Sequence, residues 1–247
     1  MLYKLMLNLQ NRGQLSAGIT TYNANRPQLL DTYKDLGHVN EVFRTSNREK
    51  SFNIFKRYAG NKGIGHVRYA TSGSEGLGVA QPFERHHGKK WKWFSFGFNG
   101  NLANYSELKR NLLSKGEYHL TYDNDTELMM HYISLELRTG KKPNLVRVFS
   151  NLAKKFDGCY NITFINAEGE IVVARDPHGF RPLVYGFSDD KTVFMAASES
   201  VALANCGIKD IRSLPPGHMV HISDGSIKIK KYADAKRKSH CMFEWVY

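Results

Sequence analysis

Residues 93–100 read Trp-Phe-Ser-Phe-Gly-Phe-Asn-Gly. Phe94, Phe96 and Phe98 fall on one face of an extended chain, and Trp93, Ser95 and Gly97 on the other. A period of two with one aromatic face is the pattern of a half-buried strand, and Asn99-Gly100 predicts a turn at its end. Helical spacing follows directly. Residues 103–115 place Tyr105, Leu108 and Leu112 on one face, with Gly116 as the stop. Residues 124–139 open on Asn124 and carry Glu127 three positions later, a capping-box pattern. Leu128, Tyr132 and Leu135 continue one face of that helix, and Gly140 closes it. Residues 144–156 gather Leu145, Val148, Phe149, Leu152 and Phe156 on one stripe.

Strand patterns lie on both sides of this helical block. Upstream are residues 17–23 and 63–70. Downstream, 159–165 and 170–176 flank a turn, as do 182–187 and 192–198. Residues 218–223 and 226–232 flank Asp224-Gly225, a strong hairpin signal. Hairpins on either side of a helical block imply mixed α and β layers rather than βαβ repeats. At the start of the chain, Leu2, Leu5, Met6 and Leu9 share one helical face. That helix runs from residue 1 without a capping side chain, and Gly13 stops it.

The chain has 247 residues, ample for a sizeable core. Hydrophobic residues make up 41% and charged residues 23%, a balance that excludes a disordered chain. No run of about 18 apolar residues occurs, which excludes a membrane-spanning helix. The first residues lack the cleavage pattern of a signal peptide. Cys159, Cys206 and Cys241 form no CxxC pair, and their odd number points to a reducing, cytoplasmic setting. Lysine and arginine number 35 against 23 acids, giving a net charge of +12. Such a charge suits nucleic acid or phosphorylated small molecules. The densest basic runs are 86–93, where Trp91 and Trp93 interleave with lysines, and 230–238. A stacking platform for nucleic acid is one account of the first run, and a solvated loop and strand edge is the plainer one.

Eight stretches, in chain order, carry a resemblance: LQNRGQLSAGI (9–19), GIGHVRYATSGS (63–74), FNGNLANYSEL (98–108), DNDTEL (123–128), ARDPHGFRPLV (174–184), ASESVAL (197–203), LPPGHMVHI (214–222) and CMFEWVY (241–247). Together they resemble the class II, N-terminal nucleophile, glutamine amidotransferase domain of the amidophosphoribosyltransferases. The resemblance implies an α+β fold, a four-layer αββα sandwich of two mostly antiparallel sheets between helical layers. It implies one such domain over residues 1–247, with the three helices above in an outer layer.

The implied chemistry is hydrolysis of glutamine to glutamate and ammonia. A second, phosphoribosyltransferase domain then uses the ammonia to displace pyrophosphate from phosphoribosyl pyrophosphate, the first step of purine synthesis. By the resemblance, Arg68 takes the substrate carboxylate, for which a forked guanidinium is suited, and Thr71 adds a hydroxyl beside it. Asp125 takes the ammonium; it equally suits the first turn of a helix. The Asn99 side-chain amide and the Gly100 N–H form the oxyanion hole. Arg12 is placed close to the nucleophile, with an ordinary helix-end charge as its competing account.

The family nucleophile is a cysteine at the very start of the mature chain, whose α-amine, titrating near about 8, serves as general base. Here residues 1 and 2 are Met and Leu. The implied Cys-Gly-Ile opening, about twenty residues ahead of residue 9 in the family, is not in the sequence, nor is the phosphoribosyltransferase part. The expectation is therefore a portion of a longer enzyme, inactive by the family mechanism as it stands. A non-catalytic glutamine-binding or scaffold homologue is the alternative, and a basic nucleic-acid-binding protein a further one. The resemblance implies no cofactor bound by this chain itself. It allows magnesium in the transferase domain, and Cys241 sits where some members ligate an iron–sulfur cluster. It implies a homo-oligomer for the full-length enzyme and no membrane.

Overall fold

A computed structural model describes residues 1–69 and 76–235. Thr71 and Cys241, and the stretches around them, lie outside the described residues. In chain order the elements are α1 (Leu2–Leu7), β1 (Ser16–Tyr22), β2 (Leu30–Leu36), α2 (Val39–Val42), α3 (Arg48–Arg57), β3 (Lys62–Arg68), β4 (Phe83–Arg85) and β5 (Phe94–Leu102). The helical block follows as α4 (Tyr105–Leu113), α5 (Asp125–Glu136) and α6 (Leu145–Ala153). Then come β6 (Gly158–Asn166), β7 (Ile171–Arg175), β8 (Val184–Phe187), β9 (Phe194–Ala197), α7 (Ser200–Ala204), β10 (Ile211–Ser213), β11 (His218–Ser223) and β12 (Ser226–Lys231).

One large sheet has the order β12-β11-β7-β6-β5-β4, and two small ones have the orders β2-β1-β3 and β10-β8-β9. Every pairing is antiparallel. Side chains alternate across the large sheet and so divide the core. Phe94, Phe96, Phe98, Ile162, Phe164, Val172 and Ala174 pack beneath α4, α5 and α6. On the opposite face Ile165, Ile171, Val173 and Val220 meet Leu30, Ile64, Leu183 and Tyr185 of the small sheets. The small sheets are covered in turn by α1, α2 and α7. Met6, Val39 and Val42 lie over Ala17 and Ile19, while Leu5, Ala202 and Leu203 lie over Met195 and Ala197. These four layers are the expected αββα sandwich.

Two expectations need correction. Asn99-Gly100 is not a turn: β5 runs on to Leu102, with Gly100 opposite Tyr160 and Leu102 opposite Gly158. The first helix does not reach Gly13. It ends at Leu7, and Gln10–Arg12 form a separate 3-10 turn. The apolar face read there serves two clusters, with Leu2 and Met6 on one small sheet and Leu5 and Leu9 on the other. In the tryptophan-lysine run, Trp93 packs against the inter-sheet core and its indole N–H donates to Glu84 at 2.8 Å.

The turn between β6 and β7 carries a nearly buried carboxylate. Glu170 accepts from Asn166 Nδ2 at 2.9 Å, with Lys142 at 3.3 Å and His221 at 3.5 Å. Burial pushes its pKa up, but His221, Asn166 and Lys142 outweigh that and bring it down to about 2. Because the folded value lies below the unfolded one, Glu170 stabilises the fold fully above its unfolded pKa, near 4.5. That contribution disappears as pH falls toward 2. Urea midpoints measured down this window are expected to fall for the wild type, and to fall less for Glu170→Gln.

Candidate active site

The face of β5 turned toward the small sheets carries Ser95, Gly97 and Asn99. Ser95 Oγ lies 2.7 Å from Thr20 Oγ1 of β1, which ties the two sheets together. Gly97 leaves room for a neighbour: a Cβ there would stand 3.0 Å from Thr163 Oγ1 and 3.7 Å from His66 Cδ2. His66 of β3 uses that room and its Nε2 lies 3.2 Å from the Phe98 carbonyl. Burial lowers the His66 pKa to about 4, with Arg68 pushing the same way and the Phe98 carbonyl opposing. The ring is therefore neutral at pH 7, so Nε2 carries the proton and donates to Phe98.

Arg68 lies two residues beyond His66 and so on the same face of β3. Its position is fixed from behind. The Arg68 carbonyl accepts from Leu15 N at 3.0 Å, and Arg68 pairs with Ser16 of β1. Gly13 lies so close that a Cβ would come within 2.6 Å of the Arg68 carbonyl carbon. Arg12, just before this contact, places its guanidinium 2.9 Å from Glu199, the residue capping α7. The structure thus puts Arg12 at the seam between α7 and the end of β3.

Asn99 and Gly100 lie near the far end of β5, opposite Asn161 and Tyr160 of β6. Gly100 has φ +158°, and a Cβ there would stand 2.0 Å from the Cys159 carbonyl oxygen. Asp125 begins α5, and its Oδ2 accepts from Leu102 N at 2.9 Å, two residues past Gly100. Burial raises the Asp125 pKa, and the Leu102 N–H opposes the rise. Gln81 makes a second tie between β5 and α5. It accepts from Phe98 N at 2.7 Å and donates to Thr126 Oγ1 at 3.3 Å. The two strands and one helix that carry Arg68, Asn99, Gly100 and Asp125 are therefore joined directly through residues 98–102.

The loop before Asp125 is held by Glu127. Asn124 caps α5 by accepting from Glu127 N at 2.8 Å, as expected. The Glu127 carboxylate, however, does not return to the cap residue. It is buried and accepts from Thr121, Tyr122 and Asp123 N–H groups at 2.7, 2.7 and 3.1 Å. Behind the site, Asp176 is fully buried and accepts from His178 N and Gly179 N, while Arg175 donates to the carbonyls of Gly179, Arg181 and Leu214. This folds residues 175–181 back on themselves. Their place is structural, against Tyr160 and the base of β6.

A family model described as glutamine amidotransferase domain matches residues 66–205. That stretch holds Arg68, Asn99, Gly100 and Asp125. The chain belongs to the glutamine amidotransferase domain family. The chain is 34% identical over 251 residues to the amidophosphoribosyltransferase of Methanothermobacter thermautotrophicus, covering 100% of this chain and 48% of that one. It is 33% identical to the Escherichia coli amidophosphoribosyltransferase, with the same coverage. Among solved structures it is similar to the glutamine phosphoribosylpyrophosphate amidotransferase from B. subtilis, solved with ADP and GMP (TM-score 0.81, 30% identity, 99% of this chain and 49% of that one). A structure titled as the allosteric regulatory enzyme of purine biosynthesis matches with TM-score 0.84 and 31% identity, over 100% of this chain and 49% of that one. The chain spans about half the length of the curated relatives it matches. No helix among the described residues is long and apolar enough to cross a membrane.

Among the residues that shape this candidate site, the sequence alone does not single out His66, Gln81 or Glu127 as parts of it. His66 had a local signal, standing two positions before Arg68 in a period-two strand. Gln81 had none, because its partners lie 17 and 45 residues away.

Proposed function

We propose that residues 1–247 are a single glutamine amidotransferase domain that binds free glutamine at the junction of β3, β5 and α5. The supporting observation is the bond that Asp125 Oδ2 accepts from Leu102 N, which sets an anionic group beside the Asn99-Gly100 backbone. In this reading Arg68, with Thr71, holds the α-carboxylate, and Asp125 holds the α-ammonium. The amide oxygen of the substrate then faces the Asn99 side chain and the Gly100 N–H. Attack of a thiolate on the amide carbon forms a C–S bond and places negative charge on that oxygen, which these donors stabilise. Collapse expels the amide nitrogen as ammonia once it is protonated, and water cleaves the thioester to glutamate. The base that such chemistry needs is an α-amine on the attacking cysteine, and neither Cys159 nor Cys206, both internal, carries one.

In the longer enzyme the ammonia displaces pyrophosphate from phosphoribosyl pyrophosphate, with any magnesium held in the transferase part. The overall transferase activity, the oligomeric state and whether Cys241 ligates a cluster are questions for that whole protein.

Calorimetry of the 247-residue protein tests the assignment. Glutamine is expected to bind one-to-one at millimolar or lower concentration without release of ammonia. Absence of binding would remove the reading, and ammonia release by this chain would require a different attacking group.

A further inference from the structure

The basic run at residues 86–93 takes no part in the chemistry above, and while its residues 86–90 are exposed, His87 and Lys92 also border a concavity. It forms one wall of a cavity of about 220 Å³ lined by Arg85, His87, Lys92, Tyr118, His131 and Arg138, together with residues of the last turn of α5. The cationic groups arrive from three places: the end of β4 and the loop after it, the 3-10 turn at Lys90–Lys92, and the residues that close α5. No carboxylate lines the cavity.

The acids nearby are engaged elsewhere. Glu84 accepts from the Trp93 indole and faces His86 at 3.3 Å. Glu127 carries the backbone N–H groups of residues 121–123. Glu117 reaches Arg138 only at 4.0 Å, with both side chains mostly exposed. Among the described residues, Arg85 and Lys92 form no ion pair. Arg138 alone could be explained as a cation at a helix C-terminus, but Arg85 and Lys92 have no such account, while His87 accepts from Lys89 N at 2.9 Å through Nδ1. Burial lowers the His131 pKa and Arg85 adds to that, while Glu127 and a backbone bond to His119 oppose it. Positive groups thus face one another across a concave space with no counter-charge in its lining, an arrangement that an anion would relieve.

We propose that this cavity binds the phosphate or diphosphate group of a small molecule. Two guanidinium forks suit the paired oxygens of a phosphate. The volume is below the roughly 300–1,000 Å³ of drug-sized pockets, which favours a phosphate-bearing end over a whole nucleotide. The cations converge on one hollow rather than forming a stripe along the surface, which favours a small anion over a nucleic-acid backbone. Asp125 opens α5 and Arg138 lies just past its end, so this site stands about 18 Å of helix away from the glutamine site.

The test is calorimetric titration of the 247-residue protein with sodium pyrophosphate and with ribose 5-phosphate at low ionic strength, with sodium chloride as the matched control. Saturable binding of either phosphate is expected, and whichever binds tighter identifies the diphosphate or the monoester as the source. Arg138→Ala and Lys92→Ala are each expected to weaken it about tenfold. Lys209→Ala, which removes an exposed lysine paired with Asp189, is expected to leave it unchanged. Circular dichroism melts check that each variant is folded, and Arg138, being largely exposed, can be removed without disturbing the core. No saturable binding at millimolar phosphate would overturn the proposal. So would equal weakening by Lys209→Ala, or binding of single-stranded RNA in place of either phosphate.

Discussion

Gly100→Ala is expected to lower the stability of the domain by more than about 3 kcal/mol and to abolish glutamine binding. The added Cβ would stand 2.0 Å from the Cys159 carbonyl oxygen and 2.7 Å from Tyr160 Cα. Both are backbone atoms, so no rotamer change can absorb the clash. Nor can β6 retreat. It is paired on its other edge with β7, and its Tyr160, Ile162 and Phe164 are packed under the helices. The backbone at Gly100 also sits at φ +158°, which a side chain disfavours. Three other glycines calibrate the result. Gly97→Ala would crowd the Thr163 hydroxyl at 3.0 Å and meet His66 at ordinary contact distance, 3.7 Å, and should cost much less. Gly116→Ala, at φ +70° beyond the end of α4, meets nothing within 4 Å and should cost about 1–2 kcal/mol of backbone strain. Gly140→Ala meets nothing within 4 Å and should be close to neutral. Urea denaturation of the four variants at constant m-value measures the series. A Gly100→Ala protein as stable as Gly140→Ala would show that the β5–β6 pairing is looser than its register implies.

The difference between these glycines also shows what local pattern can and cannot reveal. Phe94, Phe96 and Phe98 announce a strand because burial of alternate residues is a local property. The stripe Leu145, Val148, Phe149 and Leu152 announces α6 for the same reason. Asn-Gly, by contrast, is locally a turn, and only its pairing with Asn161 and Tyr160, sixty residues away, keeps it extended. Two of the segments that left no signal, β2 and α3, bury few of their residues. Along β2 only Leu30 is buried, and Lys34 reaches across to the Ala80 and Pro82 carbonyls. Of α3's ten residues only Ser51 is buried, so no apolar stripe marks the helix. The site divides along the same line. Arg68, Asn99, Gly100 and Asp125 are candidates through a family resemblance, which gives residue types without geometry. What positions them, such as His66 lying against Gly97 or Gln81 bridging Phe98 and Thr126, depends on which sheet faces which. No spacing within a single segment encodes that.

Asp125 separates a structural from a substrate role, because one of its oxygens is already used. Oδ2 accepts from Leu102 N at 2.9 Å and so anchors the start of α5 to the end of β5. Asparagine at this position retains a carbonyl oxygen able to accept that same bond but carries no charge. Asp125→Asn is therefore expected to leave the urea midpoint nearly unchanged while weakening glutamine binding by about 2–4 kcal/mol, the scale for removing one partner of a desolvated charge pair. Asp125→Ala loses both functions. It should cost stability as well, since Leu102 N would be left without its acceptor, at about 1–3 kcal/mol. The pH dependence provides an independent check. Burial holds the Asp125 carboxyl above its usual range, so glutamine binding should weaken as pH falls through that raised pKa. The Asp125→Asn protein should show no such step. Equal glutamine affinity in the wild type and Asp125→Asn would mean that the ammonium is held elsewhere, and the α5 end of the proposed site would have to be redrawn around another anion.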